Sequence, residues 1–199
     1  MTALRSALAS RYALWLLLSL PAFYFLASYF RGGIWPGDML HPTGEMSARL
    51  IVFALALTPL SMLLSRPRWI QWLIARRRAF GVAAFGYAFL HLLFYIADME
   101  TVENMLAEIG ALGIWTGWAA FALMLPLALT SNQASMRALK SGWKKLQRLA
   151  YPAALATLVH WMYVHDNKAA ALLHFLPLAA LELYRIGRLL RGRSLRGQI

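Results

Sequence analysis

Two histidines stand inside long apolar runs, where a polar side chain is costly unless it does useful work. They are His91 in "RRRAFGVAAFGYAFLHLLFY" and His160 in "KKLQRLAYPAALATLVHWMY". His91 lies thirteen residues past Arg78, and His160 twelve past Arg148. At ~1.5 Å per residue both come ~18–20 Å along helices that leave the same basic side. Imidazoles at a shared depth can act in two ways. They can hydrogen-bond across helices or relay protons, or each can offer a neutral nitrogen lone pair to one metal between them. The chain has no cysteine, which excludes disulfides, iron–sulfur clusters and thiolate metal sites, so a buried metal would have to use histidine.

The elements that must position these residues are membrane spans. Of 199 residues, 60% are hydrophobic and 14% charged, with a mean hydropathy of +0.54, well above that of a soluble domain. Six apolar segments are expected to form one all-α domain over residues 1–199: Tyr12–Phe30, Met46–Leu64, Ala79–Ala97, Ile109–Thr130, Leu149–Val164 and Ala169–Tyr184. The last two are short for a ~30 Å hydrocarbon core, so their helices are expected to run on into the flanking polar residues. The first run is too long for a signal-peptide core and reads as a retained helix. Pro21, Pro59, Pro126, Pro152 and Pro177 interrupt five spans, which membrane helices tolerate.

Charge sets the expected orientation. With both termini cytoplasmic, seventeen of the twenty basic residues fall inside, leaving Arg31, Arg49 and Lys168 outside, while seven of the eight acidic residues lie in or beside outer connections. The net charge of +12 then reflects the positive-inside rule and contact with the lipid membrane, with no nucleic acid partner expected.

In this frame His91 and His160 meet in the outer half of the membrane, where they could ligate a heme iron from both sides. Ala84, Gly86 and Ala88 would leave room for a flat macrocycle, although small residues also serve plain helix packing. Hydrogen bonding or a proton path remains the other reading of the pair. His174, about five residues into the sixth span, could compete with His160 as a ligand or meet a heme propionate. His41, in "HPTGEMSARL", reads as an outer-loop residue or a propionate contact, with Thr43 and Glu45 capping the second span. His165 reads as a wet surface residue, Glu182 as a structural pair with Arg185, and Glu100, Glu103 and Glu108 as an acidic loop or interfacial helix. A non-redox transporter or scaffold with structural histidines is the competing class.

As a set, "HPTGEMSARL", "RRRAFGVAAFGYAFLHLLFY" and "GWKKLQRLAYPAALATLVHWMY" resemble the heme-binding membrane subunits of bacterial periplasmic methionine-sulfoxide reductase systems, within the ferric-reductase-like transmembrane superfamily. The resemblance runs from about residue 12 to 190. It implies a multi-pass b-type cytochrome of the bacterial inner membrane, an electron-transfer subunit rather than the catalytic one. Electrons would come from a cytoplasmic flavin reductase and go to a periplasmic molybdopterin-containing methionine-sulfoxide reductase. His91 and His160 match the family's ligands in the third and fifth spans.

The departure is Gln147. Where "WKKLQRLAY" has Gln147, the family usually has a histidine associated with a second heme nearer the cytoplasm. Glutamine is a poor iron ligand. All five histidines lie toward the outer side, so one well-ligated outer heme b is expected and an inner bis-histidine heme is not. Three readings of the inner face stay open: FMN, which the resemblance implies, with Arg77, Arg78, Trp143, Lys144 and Lys145 holding its phosphate and ring; an inner heme weakly ligated by Gln147 or Tyr151; or no inner cofactor at all.

Overall fold

The structure, a computed structural model, describes residues 11–164 and 167–196. His165, Asp166 and Arg5 lie outside them. The described residues are all-helical: α1 (Arg11–Phe30), α2 (Pro36–Leu63), α3 (Arg68–Met99), α4 (Val102–Glu108), α5 (Leu112–Leu129), α6 (Gln133–Leu139), α7 (Ser141–Leu146), a 3-10 turn (Gln147–Leu149), α8 (Ala150–Val164) and α9 (Lys168–Arg196). Five of these, α1, α2, α3, α5 and α9, are long and apolar enough to cross a membrane. The protein is a multi-pass membrane protein.

The expected sixth span is the exception. Helix α8 has 15 residues, ~22 Å of helix. The helical backbone does run back into the basic segment as expected, tightening to a 3-10 turn at Gln147–Leu149 and continuing through α7 to Ser141, where Lys140 at φ 48° separates α7 from α6. Pro152 falls in the first turn of α8 and interrupts nothing.

Three other helices are longer than their apolar runs. Helix α2 starts at Pro36, ten residues before Met46, since Trp35 is extended and proline at the first turn is already set for a helix. His41, Thr43 and Glu45 are therefore helical residues, not loop or cap. Arg49, expected at the outer end of the second span, is the fourteenth residue of α2, ~20 Å from its start. Helix α3 begins at Arg68, so Arg76, Arg77 and Arg78 are part of it, and α9 runs on to Arg196. The acidic segment after α3 does form a helix, α4, capped by Thr101, whose Oγ1 accepts from the Asn104 N–H at 3.2 Å.

Helices α2 and α3 form an antiparallel hairpin, α5 pairs with α8, and α9 lies against α2 and α8. Small side chains make these approaches possible: Ala48, Ala84, Ala153 and Ala171 are essentially fully buried. Polar bonds fix the register. Ser47 Oγ donates to the Ala84 carbonyl at 2.8 Å, and Gln71 Nε2 to Ser61 Oγ at 2.6 Å. Helix α1 is tied on by Tyr87, whose hydroxyl accepts from the Ala22 N–H (3.1 Å) and donates to the Leu18 carbonyl (2.7 Å). The phenol thus inserts into the i to i−4 ladder beside Pro21.

Candidate functional site

His91 on α3 and His160 on α8 face each other, with ring centroids 5.8 Å apart and planes at 85°. Both line one cavity of ≈ 90 Å³, walled by Gly44 and Ser47 of α2, Leu92 and Tyr95 of α3, Gly117, Trp118, Phe121 and Met124 of α5, and Thr157 of α8. The equal depth read from the spacing is the observed one.

The two rings are held by one device used twice. His91 Nδ1 is 2.9 Å from the Leu40 carbonyl, and His160 Nδ1 is 2.7 Å from the Gly113 carbonyl. A helix carbonyl is ordinarily covered by the side chain four residues on, because Cβ atoms lean toward the helix N-terminus. Four residues past Leu40 and Gly113 stand Gly44 and Gly117. A Cβ on Gly44 would lie 3.0 Å from His91 Nδ1, and one on Gly117 would lie 2.7 Å from His160 Nδ1. Before each glycine is a buried threonine. Thr43 Oγ1 donates to the Met39 carbonyl and Thr116 Oγ1 to that of Leu112, both at 2.6 Å, and each sits within 3.2 Å of the carbonyl that receives the imidazole. A carbonyl only accepts, so each ring carries its proton on Nδ1 and its lone pair on Nε2. This is the tautomer and the supporting hydrogen bond of a metal-ligating histidine.

Sequence reasoning does not reach the Thr-Gly pairs, although the signal is there as "PTGE" and "WTGW". A Cβ on Gly86, the glycine it favours, would meet nothing within 4 Å, and Gly86 does not line the cavity.

His174 and His41 are elsewhere. His174 Nδ1 bonds the Ala170 carbonyl at 2.8 Å, its Nε2 accepts from Arg49 Nε at 3.2 Å, and its ring lies on Trp161. Its lone pair is used, and it is not on the cavity wall. His41 is exposed, 3.8 Å from Glu45, which also binds Arg49 at 2.5 Å.

A second cavity of ≈ 550 Å³ gathers the residues of the basic segments: Arg77, Arg78, Trp143, Lys144, Gln147, Arg148, Tyr151 and Arg185. No carboxylate or histidine is among its lining residues, and its floor is apolar (Ile51, Ala54, Leu55, Met124, Leu127). Lys145 is not on its wall. Gln147 Nε2 reaches the Leu127 carbonyl and Thr130 Oγ1 only at 3.4 and 3.5 Å, while Trp143 Nε1 donates to the Thr130 carbonyl at 3.0 Å. Glu182 pairs with Arg185 at 2.8 Å, the structural pair read from the sequence. Met124 lines both cavities.

Residues 43–158, which carry both Thr-Gly cradles and most of the two cavities, match the family described as ferric reductase like transmembrane component. A protein-methionine-sulfoxide reductase heme-binding subunit MsrQ from Xanthomonas axonopodis pv. citri is 35% identical over 161 residues, 79% of this chain and 72% of the relative. Its counterpart from Deinococcus radiodurans is 34% identical over 176 residues, 84% of each chain. The chain belongs to the ferric-reductase-like transmembrane family and, within it, to the MsrQ group. No solved structure matches it.

Proposed function

We propose that this protein is a b-type cytochrome of the bacterial inner membrane, holding one heme between His91 and His160 and passing electrons across the bilayer. The observation that carries this is the paired cradle: both Nδ1 atoms lie within hydrogen-bond distance of carbonyls, which puts each ring's lone pair on Nε2, the arrangement that suits a ligand. The facing rings, with centroids 5.8 Å apart, are close enough that one iron could be held by both. The ≈ 90 Å³ slot is smaller than a porphyrin, so uptake requires its apolar wall, Leu92, Phe121 and Met124, to move aside. Bound there, heme supplies a one-electron iron couple. The residues hold and orient it, and the apolar wall limits water at the iron. A preparation supplied with ample heme that stays colourless would sink this reading.

The relatives' name supports a partner in a methionine-sulfoxide reductase system. We place a periplasmic molybdopterin-containing reductase as acceptor and a cytoplasmic flavin reductase as donor, with six crossings and both termini cytoplasmic. The charge distribution supports that orientation.

The second cavity is where FMN is expected. Its lining cations suit a phosphate, Trp143 and Tyr151 suit a planar ring, and a wall without histidine argues against a second heme. Inverted membrane vesicles should quench FMN fluorescence far more than right-side-out vesicles. Arg78→Gln and Lys144→Gln should each weaken binding by roughly tenfold. Equal quenching in both vesicle types, or riboflavin binding as tightly as FMN, would count against this placement.

A further inference from the structure

One polar group on the wall of the histidine cavity is left without a hydrogen-bond partner among the described residues. Ser47, Tyr95 and Thr157 bring hydroxyls to that wall. Ser47 donates to the Ala84 carbonyl at 2.8 Å and Thr157 to the Ala153 carbonyl at 2.9 Å. Tyr95 is 9% exposed, and its hydroxyl is buried without a hydrogen-bond partner among the described residues. A buried phenol left unpaired costs about 1–3 kcal/mol. Such an orphan calls for an acceptor that the site is built to receive.

Its position says which part of a ligand that acceptor is. Tyr95 stands four residues past His91 on α3, on the same face and ~6 Å further toward the Met99 end. The phenyl body is fixed edge-on to Trp118, with centroids 6.5 Å apart, so the hydroxyl is held in place. Beyond Met99 come Glu100, Thr101 and then α4, whose charged residues are the carboxylates Glu103 and Glu108. Desolvation costs an ionised group least toward that polar end, but the carboxylates there repel an anion, so a carboxylate of a bound macrocycle needs a donor such as Tyr95. The cavity's other lining is apolar apart from the histidines, the Trp118 indole N–H and the two committed hydroxyls.

We propose that Tyr95 donates its hydroxyl proton to a carboxylate of the macrocycle, and that it selects the orientation in which the carboxylate edge points to the Met99 end of α3. The inference rests on the heme reading and adds to it a residue that recognises the cofactor's edge rather than its iron. A hydrogen bond to a charged acceptor is among the stronger kinds. Protoporphyrin IX iron should therefore bind roughly 10- to 100-fold more tightly than its dimethyl ester, which keeps the ring and the iron but has no ionised carboxylate.

The test titrates detergent-solubilised apoprotein with both compounds, followed by the Soret band. Wild-type protein should prefer the free acid by about tenfold or more. Tyr95→Phe, which keeps the ring packed on Trp118, should lose most of that preference while retaining a six-coordinate, two-imidazole spectrum. An unchanged preference in Tyr95→Phe overturns the inference, as does a wild-type protein that binds acid and ester equally well. In both of these cases the heme reading stands. A wild-type protein that takes up neither compound overturns the heme reading and this inference with it.

Discussion

His160→Ala protein should purify with roughly a tenth or less of the wild-type heme, since losing a ligand costs at least as much as the ~10–100-fold seen when a ligand's supporting partner is lost. His91→Ala should do the same. The physical reason is that each imidazole is already oriented by a carbonyl on the opposite helix, Leu40 for one and Gly113 for the other. Among the described residues no third histidine lines the cavity. His174 is the alternative to His160 that the sequence offers, but its Nε2 accepts from Arg49 and its ring is held on Trp161. His174→Ala should therefore keep the wild-type spectrum. The measurement is the heme content and reduced spectrum of the three variants, purified under the same heme supply. A wild-type spectrum in His160→Ala, with loss in His174→Ala, would exchange the two roles.

The second large effect is expected from a single methyl group. Gly117→Ala puts a Cβ 2.7 Å from His160 Nδ1 and 2.8 Å from Cε1, closer than side chains tolerate. Relief requires the ring to turn, and turning breaks the bond to the Gly113 carbonyl. The variant should lose heme occupancy by about tenfold and stability by about 1–3 kcal/mol. Gly44→Ala, with its nearest contact at 3.0 Å, should be milder. Gly86→Ala meets nothing within 4 Å and should be neutral or slightly stabilising. Heme content and thermal unfolding of the three variants give that rank order. Equal effects at Gly117 and Gly86 would mean that the cradle does not set the ring.

What is legible in the sequence follows from what each signal measures. The meeting of His91 and His160 is legible because basic residues mark where both helices leave the same side, and rise per residue does the rest. The cationic cavity is legible in part for a related reason: Arg77, Arg78, Trp143, Lys144, Gln147 and Tyr151 border the same ends of apolar runs, and the structure gathers all six. Depth carries no information about which face of a helix a side chain takes, which is why spacing cannot separate His174 from His160. Helix starts are hidden where hydropathy and helix disagree. Pro36 opens α2 within a polar stretch, and that shift turns His41 from a loop residue into a helical one and moves Arg49 from the helix's first turn to its middle. The Thr-Gly cradles are hidden by their brevity. A lone Thr-Gly reads as packing, and its meaning appears only when two helices each present one to a histidine.

Gln147 is the residue on which the number of hemes turns. It lines a cavity large enough for a cofactor and rich in cations, yet without an imidazole on its wall. The measurement that tests the central claim most directly is heme per polypeptide in protein purified from heme-supplied cells, by pyridine hemochrome against amino-acid analysis. One heme per chain, with a two-imidazole spectrum lost in His91→Ala and His160→Ala, is the predicted result. Two hemes per chain, or a heme retained in the His91→Ala/His160→Ala double variant, would contradict it.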